Sequence, residues 1–335
     1  MVFQEADQGN QKLENTVISW LNDQAIPLVS IDPDSPSTDL EPIKELIGSA
    51  RIVGMGEATH GSKEFTQARH KILRFLIEKI GFNGLILETP VEEAKRIDKY
   101  IKTGEGDARS IQNQMSYWVH DTQEYLEVIE WMKKYNSEHP DRQISFYGCD
   151  IPVDDIRRKQ PMNIRDKAMA DETLAILNHS GNNSKYILWS HNYHISRLDF
   201  PDYQTQGFYL QTTLGNEYLP LATLFNEGGF NAHSWDEENQ LAGVRKAFRM
   251  EKAPKGTYEW FFAQTGIPQA IFDIRDTINQ SFFQETQPVF LKVRGSGSIH
   301  TDEIPEYSSS SVGLVSAFDG IIWIDRVTPS TLFRV

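Results

Sequence analysis

This chain is nearly devoid of cysteine: Cys149 is the only one in 335 residues. That excludes an internal disulfide and a cysteine-cluster metal site, and it fits a reducing compartment or a protein that needs no cross-link. Long apolar runs are missing too. None approaches the roughly 20 residues that a membrane-crossing helix needs, and the acidic, polar start MVFQEADQGN is unlike a secretion signal. Positive charge is in deficit: 33 Lys and Arg face 47 Asp and Glu, for a net charge of −14. Such a balance argues against nucleic acid or an anionic membrane surface as partner. No P-loop, GxGxxG turn or GxSxG nucleophile elbow occurs, and Cys149 has no histidine beside it in sequence, so covalent acyl-enzyme chemistry lacks its usual signatures. What is left is an ordinary globular composition, 39% hydrophobic and 24% charged, read as a cytoplasmic protein.

The stretch RIVGMGEATH, residues 51–60, organises the rest. Ile52, Val53 and Met55 with Gly54 and Gly56 read as a strand apolar on both faces, the pattern of a parallel sheet covered by helices. Glu57, Thr59 and His60 follow at its carboxyl end, the edge at which open α/β sheets bind ligands. An amphipathic helix is predicted over residues 63–80. GLILE, ending in Glu88, and ISFYGCD, ending in Asp150, repeat the pattern of a strand closed by an acid, and the strand 186–189 runs out at His191 and His194. Helices are predicted over 90–101, 122–135 and 163–177. This alternation predicts right-handed crossovers and an α/β fold with a mostly parallel central sheet flanked by helices. Residues 1–48 read as an N-terminal helical approach segment, with helices over 13–25 and 43–47. Past His194, GFYLQTTLG, GFNAHSW, AIFDIR, VFLKV and GIIWID read as strands, with a helix over 256–265 and a polar Gly- and Ser-rich loop at 295–311. With no internal repeat and no low-complexity linker, residues 1–335 read as one domain.

Four strands thus end in ionisable groups, Glu57, Glu88, Asp150 and His191, which a parallel sheet would bring to one rim. A carboxylate in such a place also serves as an ordinary cap for the following helix, and for Asp150 the two readings stand level. Arg69 interrupts the apolar stripe Phe65, Ile72, Leu76 and Ile80. A guanidinium on that face needs a carboxylate, since an unpaired buried charge is costly, and Glu57 and Glu88 are the natural partners. We expect Glu88 to neutralise Arg69 while Glu57 orients His60. That imidazole, three residues after Glu57, suits a general base whose tautomer a carboxylate fixes. The Glu-x-x-His and His-x-x-His spacings are equally open to metal ligation, although an arginine in the cluster is a poor neighbour for a cation. His70, His120 and His179 stand alone and read as surface or packing residues.

At GEATHG, followed by KEFTQARHKILRFLIEKIGFNGLILE, the sequence resembles the erythromycin esterase family, and the likeness continues at FYGCDIP, RDKAMADETL, SHNYHI and AFDGIIWI. The resemblance implies an α/β fold with a helical covering region. It also implies hydrolysis of a carboxylic ester or lactone, the chemistry behind resistance to macrolide antibiotics, with water as nucleophile, no serine nucleophile, and no obligatory metal or other cofactor. Carried over by motif, His60 is the general base, Glu57 orients it, and Arg69 and Glu88 belong to the same polar cluster. His191 and His194 bind the substrate carbonyl or the developing oxyanion, and Arg165 faces the cleft. Such a base predicts kcat/KM rising with pH through one ionisation, its midpoint at or above the reference histidine value of about 6.5 because Glu57 stabilises the imidazolium. One departure stands out: only about ten residues, 153–162, replace the family's usual helical insertion, so the lid region is expected to be reduced.

Overall fold

The computed structural model describes residues 2–152, 162–236, 241–280, 292–294, 297–300, 307–309 and 313–333. Among these, ten strands form one sheet: β1 (Ala25–Pro27), β2 (Ile52–Met55), β3 (Gly84–Pro90), β4 (Ser145–Asp150), β5 (Tyr186–Trp189), then, past the small antiparallel pair β6 (Asp199–Phe200) and β7 (Tyr203–Gln204), β8 (Tyr218–Asp236), β9 (Leu241–Met250), β10 (Gln269–Asp273), β12 (Ile299–His300) and β14 (Gly320–Val327). A second pair, β11 (Lys292–Arg294) with β13 (Tyr307–Ser309), lies outside it. The main order is β1-β10-β14-β8-β2-β5-β3-β4, with β9 and β12 added to β8. Neighbours from β14 through to β4 are parallel, whereas β1, β10 and β9 pair antiparallel. The α/β class and the mostly parallel sheet are therefore as read from the alternation of apolar runs.

Successive residues of the central strands feed two apolar layers. Val53, Leu85, Leu87 and Ile187 face one, with Phe65, Ile72 and Val128 from the helices Lys63–Phe75 and Gln123–Glu138. Ile52, Ile86 and Leu188 face the other, with Met169, Leu210 and Phe261 from Met162–His179, Gln206–Leu214 and Tyr258–Gln264. Burial on both faces is why these strands read as unbroken apolar runs. The helix after β2 is α-helical to Phe75, continues as a π-type turn over Leu76–Ile80, and is ended by Gly81 in the left-handed region at φ 86°.

Several expectations change. GFYLQTTLG was expected as a strand but is the helix Gln206–Leu214, because Thr205 accepts the Phe208 N–H as an N-cap and Gln206 and Leu210 are the buried positions. The N-terminal segment is a longer helix, Val2–Gln24, and it leads into β1, which pairs with β10. Of VFLKV, residues 289–291 lie outside the described residues, as do 153–161 of the shortened connection and much of the Gly- and Ser-rich loop. Among the described residues no helix is long and apolar enough to cross a membrane.

Buried histidines make this fold acid-sensitive. His70, 4% exposed and edge-on to Trp131 at 5.6 Å, has its pKa lowered to about 3, first by burial and then by Arg74. A histidine depressed in the folded state is protonated first in the unfolded state, so stability is full above the reference value of about 6.5 and falls as pH drops from there toward about 3. The melting temperature should fall through this window, and His70→Leu should flatten the slope between about pH 6.5 and 4 relative to the parent protein. An unchanged slope in a scan of melting temperature against pH would contradict this account.

Candidate active site

The shared edge of β2, β3 and β5 opens into a cleft of about 660 Å³, lined among others by Glu57, His60, Arg69, Glu88, Arg165, His191 and His194. That volume falls in the usual range of small-molecule sites. Its far wall comes from the outer half of β8 with β9 and β12, which contribute His233, Ala242 and Ile299.

Two turns meet at the floor and are locked together. Gly56 N–H donates to Leu221 O at 2.9 Å, Thr223 Oγ1 donates to Gly56 O at 2.7 Å, and Asn192 N–H donates to Glu57 O at 3.0 Å. The Asn192 side chain closes the junction, donating to Thr223 O at 2.9 Å and accepting from Thr223 N–H at 3.0 Å. A Cβ at Gly56 would stand 2.1 Å from Asn192 Oδ1, and one at Gly61 would stand 2.0 Å from Asn231 O, so the turn after β2 needs glycine at both positions for contact alone.

Glu57 serves two partners. Its Oε2 accepts from Arg69 Nη2 at 2.6 Å, and its Oε1 lies 2.8 Å from His60 Nδ1. Burial opposes its charge, but Arg69 and the His60 hydrogen bond outweigh burial and hold the pKa at about 2. An ionised carboxylate only accepts, so Nδ1 of His60 carries the proton and Nε2 keeps the lone pair. Arg69, 1% exposed, also reaches Tyr125 Oη at 3.4 Å and sits 4.8 Å from the Trp189 ring.

His191 has the opposite tautomer. Its Nδ1 accepts the Tyr193 N–H at 3.2 Å, which places the proton of the neutral ring on Nε2. Burial, then His60 and His194, lower its pKa to about 4, so it is neutral near pH 7. Its Nε2 has no partner among the described residues, and its ring lies 5.0 Å from that of His60. One lone pair and one N–H, on adjacent imidazoles, are thus held by separate hydrogen bonds.

Behind them lies a second ionic network. Arg165 donates to Asp150 through Nε and Nη2, at 3.0 and 2.6 Å, and to Glu88 Oε1 at 2.7 Å. Glu88 Oε2 accepts from Ser190 Oγ at 2.5 Å and from His191 N–H at 2.9 Å. Burial resists its charge, but His194 and Arg165 keep its pKa well below the ordinary carboxylate value. His194 Nδ1 lies 2.8 Å from Asp166 Oδ1, and its Nε2 lies 3.2 Å from Arg165 Nη1 and 3.4 Å from Glu88 Oε1. There, too, burial works against charge, and Glu88 and Asp166 overcome it to raise the pKa.

The seven residues named first therefore line this cleft, whereas Asp150 is buried behind Arg165 and outside the lining, and the pairing differs from expectation. Arg69 is neutralised by Glu57 and not by Glu88, because the helix Lys63–Phe75 sets Arg69 beside the turn after β2. Glu88 instead belongs to Arg165, and Asp150 is the partner of Arg165 and Tyr117 as well as of the Ile151 N–H. The cleft also takes in Tyr117 and Trp118, which sequence reasoning passed over, and His120, which it read as a surface or packing residue. Their signal was the aromatic and imidazole run SYWVH in a connection between two helices, where binding residues concentrate. His70 and His179 lie away from the cleft lining. Among the described residues no three His, Cys, Asp or Glu side chains stand together as metal ligands.

The double duty of Glu57 has a measurable consequence. Glu57→Gln leaves Arg69 buried without its carboxylate, so it should cost about 3–5 kcal/mol of stability in addition to activity. A Glu57→Gln/Arg69→Met protein should recover part of that loss in a double-mutant cycle by denaturant unfolding. The ion pair's contribution is intact above the reference carboxylate range of about 4.5 and is lost as pH falls toward about 2. Additive single-variant losses would show that the two side chains are not coupled.

The chain is similar to known proteins in sequence and in fold. The family model of erythromycin esterase matches residues 77–158 and 153–327, two stretches that meet where the helical insertion was expected to be short. Erythromycin esterase type II of Escherichia coli is 33% identical over 133 residues, which make up 40% of this chain and 31% of that protein. The aligned stretch thus spans about a third of that relative's length. In fold, a Bacillus cereus protein superposes with a TM-score of 0.81 at 21% identity, covering 96% of this chain and 99% of its own. A mutant of the erythromycin esterase EreC in its open conformation gives 0.67 at 14% identity, covering 91% and 98%. With most of its length matched by the family model, the chain belongs to the erythromycin esterase family.

Proposed function

We propose that this protein hydrolyses a carboxylic ester or lactone, with His60 as general base and water as nucleophile. The observation that carries the reading is the pair of opposed tautomers: His60 keeps a lone pair on Nε2, and His191, 5.0 Å away between ring centres, keeps an N–H on Nε2. His60 Nε2 takes a proton from water as the water oxygen bonds to the ester carbonyl carbon. The carbonyl electron pair moves onto oxygen, and the His191 N–H stabilises that oxyanion. As the oxyanion re-forms the carbonyl, the C–O bond to the alcohol breaks and the His60 imidazolium returns its proton to the leaving oxygen. Glu57, held ionised by Arg69, keeps His60 in the working tautomer throughout and favours the imidazolium.

Water rather than serine as nucleophile is favoured by the engagement of Ser190, whose hydroxyl donates to Glu88 and is not set against a histidine base. The names of the relatives point to the lactone of erythromycin. The chemistry of the cleft supports the wider class of esters and lactones.

On a panel of simple esters and macrolactones, His60→Ala should lose roughly 10²–10⁴-fold in kcat/KM. His191, neutral above a pKa of about 4, adds no limb to the pH profile of the rate near neutrality. His191→Asn should lower kcat by about 10²–10³-fold, the usual cost of one oxyanion donor. Turnover unchanged in His60→Ala would end this reading, and ligand binding without any turnover would point to a binding protein on the same scaffold.

A further inference from the structure

The three-residue turn Trp118–His120 places an imidazole on the cleft that the hydrolytic scheme does not use. His120 is 3% exposed, and its ring lies 4.9 Å from that of Tyr125 and 6.0 Å from that of Tyr117. Its main chain is tied down, with the N–H donating to Tyr117 O at 3.2 Å and the carbonyl accepting from Gln112 Nε2 at 2.7 Å. The side chain is not: Nδ1 is buried and has no partner among the described residues. An orphaned buried nitrogen costs stability, and a phenyl ring would fill the same space without that cost. A rigidly mounted ring with open hydrogen-bonding capacity, beside a catalytic cleft, is what a binding contact requires.

The ring's protonation state narrows what it binds. Burial lowers the pKa of His120 to about 4, so near pH 7 it offers one N–H and one lone pair and no charge. A hydroxyl, itself donor and acceptor, complements such a group. Anionic groups find no free cation here, because the guanidinium groups of Arg69 and Arg165 are already paired with the carboxylates of Glu57, Glu88 and Asp150.

We infer that His120 is a specificity-determining residue that hydrogen-bonds a hydroxyl on the substrate, so that the preferred substrates are hydroxylated esters or lactones that carry no anionic group. This rests on the hydrolytic reading for its substrate class but not for the contact itself. The test uses lactones of one ring size: unsubstituted, hydroxylated at each ring carbon in turn, and carboxylated. At least one hydroxylated isomer should exceed the unsubstituted lactone about tenfold or more in kcat/KM, with the carboxylated one poorest. His120→Phe should abolish that preference by raising KM for the hydroxylated isomer, while the unsubstituted lactone stays within roughly threefold and the melting temperature is equal or higher. His120→Gln, which keeps a donor and an acceptor, should retain part of the preference. A preference that persists in His120→Phe, or an equal loss on all lactones, would overturn the inference. Calorimetric binding of the matching lactams, which resist hydrolysis, separates the two readings. If no lactone is turned over but the hydroxylated lactam binds in a His120-dependent way, the hydrolytic reading fails and this one stands. If His120→Phe binds that lactam as the parent does, or if neither protein binds it, this one fails.

Discussion

The ion pair between Glu57 and Arg69 is the interaction on which the rest of the site depends. Both side chains are almost fully buried, and in such surroundings a carboxylate stays ionised only if a cation and donors offset its lost hydration. Arg69 supplies the cation from the middle of a helix face that is otherwise apolar, and the ring of Trp189 supports the guanidinium from the strand β5. Because Glu57 is ionised it can only accept, and that alone selects the His60 tautomer. The carboxylate that ties helix to sheet through Arg69 is thus also the group that orients the His60 ring.

The second network plays the corresponding part for the other imidazole. Glu88 accepts the His191 backbone N–H, and Arg165 and Ser190 hold Glu88 in place. Arg165 in turn is clamped by Asp150 at the end of β4. Each of the parallel strands β2 to β5 thus delivers one polar group to the edge, and each group is tied to one brought by a neighbouring element. Such mutual satisfaction is what lets several charges share a small, poorly hydrated volume. It also leaves His191 neutral with its N–H unspent, in reach of the cleft.

The sheet's other contribution is a wall. β8 is 19 residues long, far longer than the strands beside it. Its outer half, with β9 and β12, rises past the edge where the central strands stop and brings His233 to the cleft opposite the histidine turns. Trp118 meets His233 edge-on at 5.7 Å and so joins that wall to the turn carrying His120.

The sequence by itself determined the apolar strand cores and the groups that close them, because burial on both faces demands continuous apolar runs and a polar residue then marks where each run leaves the sheet. From this, Glu57, Glu88, Asp150 and His191 were legible as one rim, and Arg69 as a charge that needed a partner. Which carboxylate Arg69 takes was decided only by the tertiary structure, since helix rotation against the sheet, not spacing along the chain, set it beside Glu57. His120 was illegible for a related reason: a lone histidine before a helix looks like any surface residue until the fold closes over it. GFYLQTTLG was misread as a strand because its apolar residues suit either period, and the Thr205 cap and the burial of Gln206 tipped it to a helix. Local pattern, in short-range terms, settles which side chains reach an edge, whereas pairing across that edge is a property of packing between elements far apart in the chain.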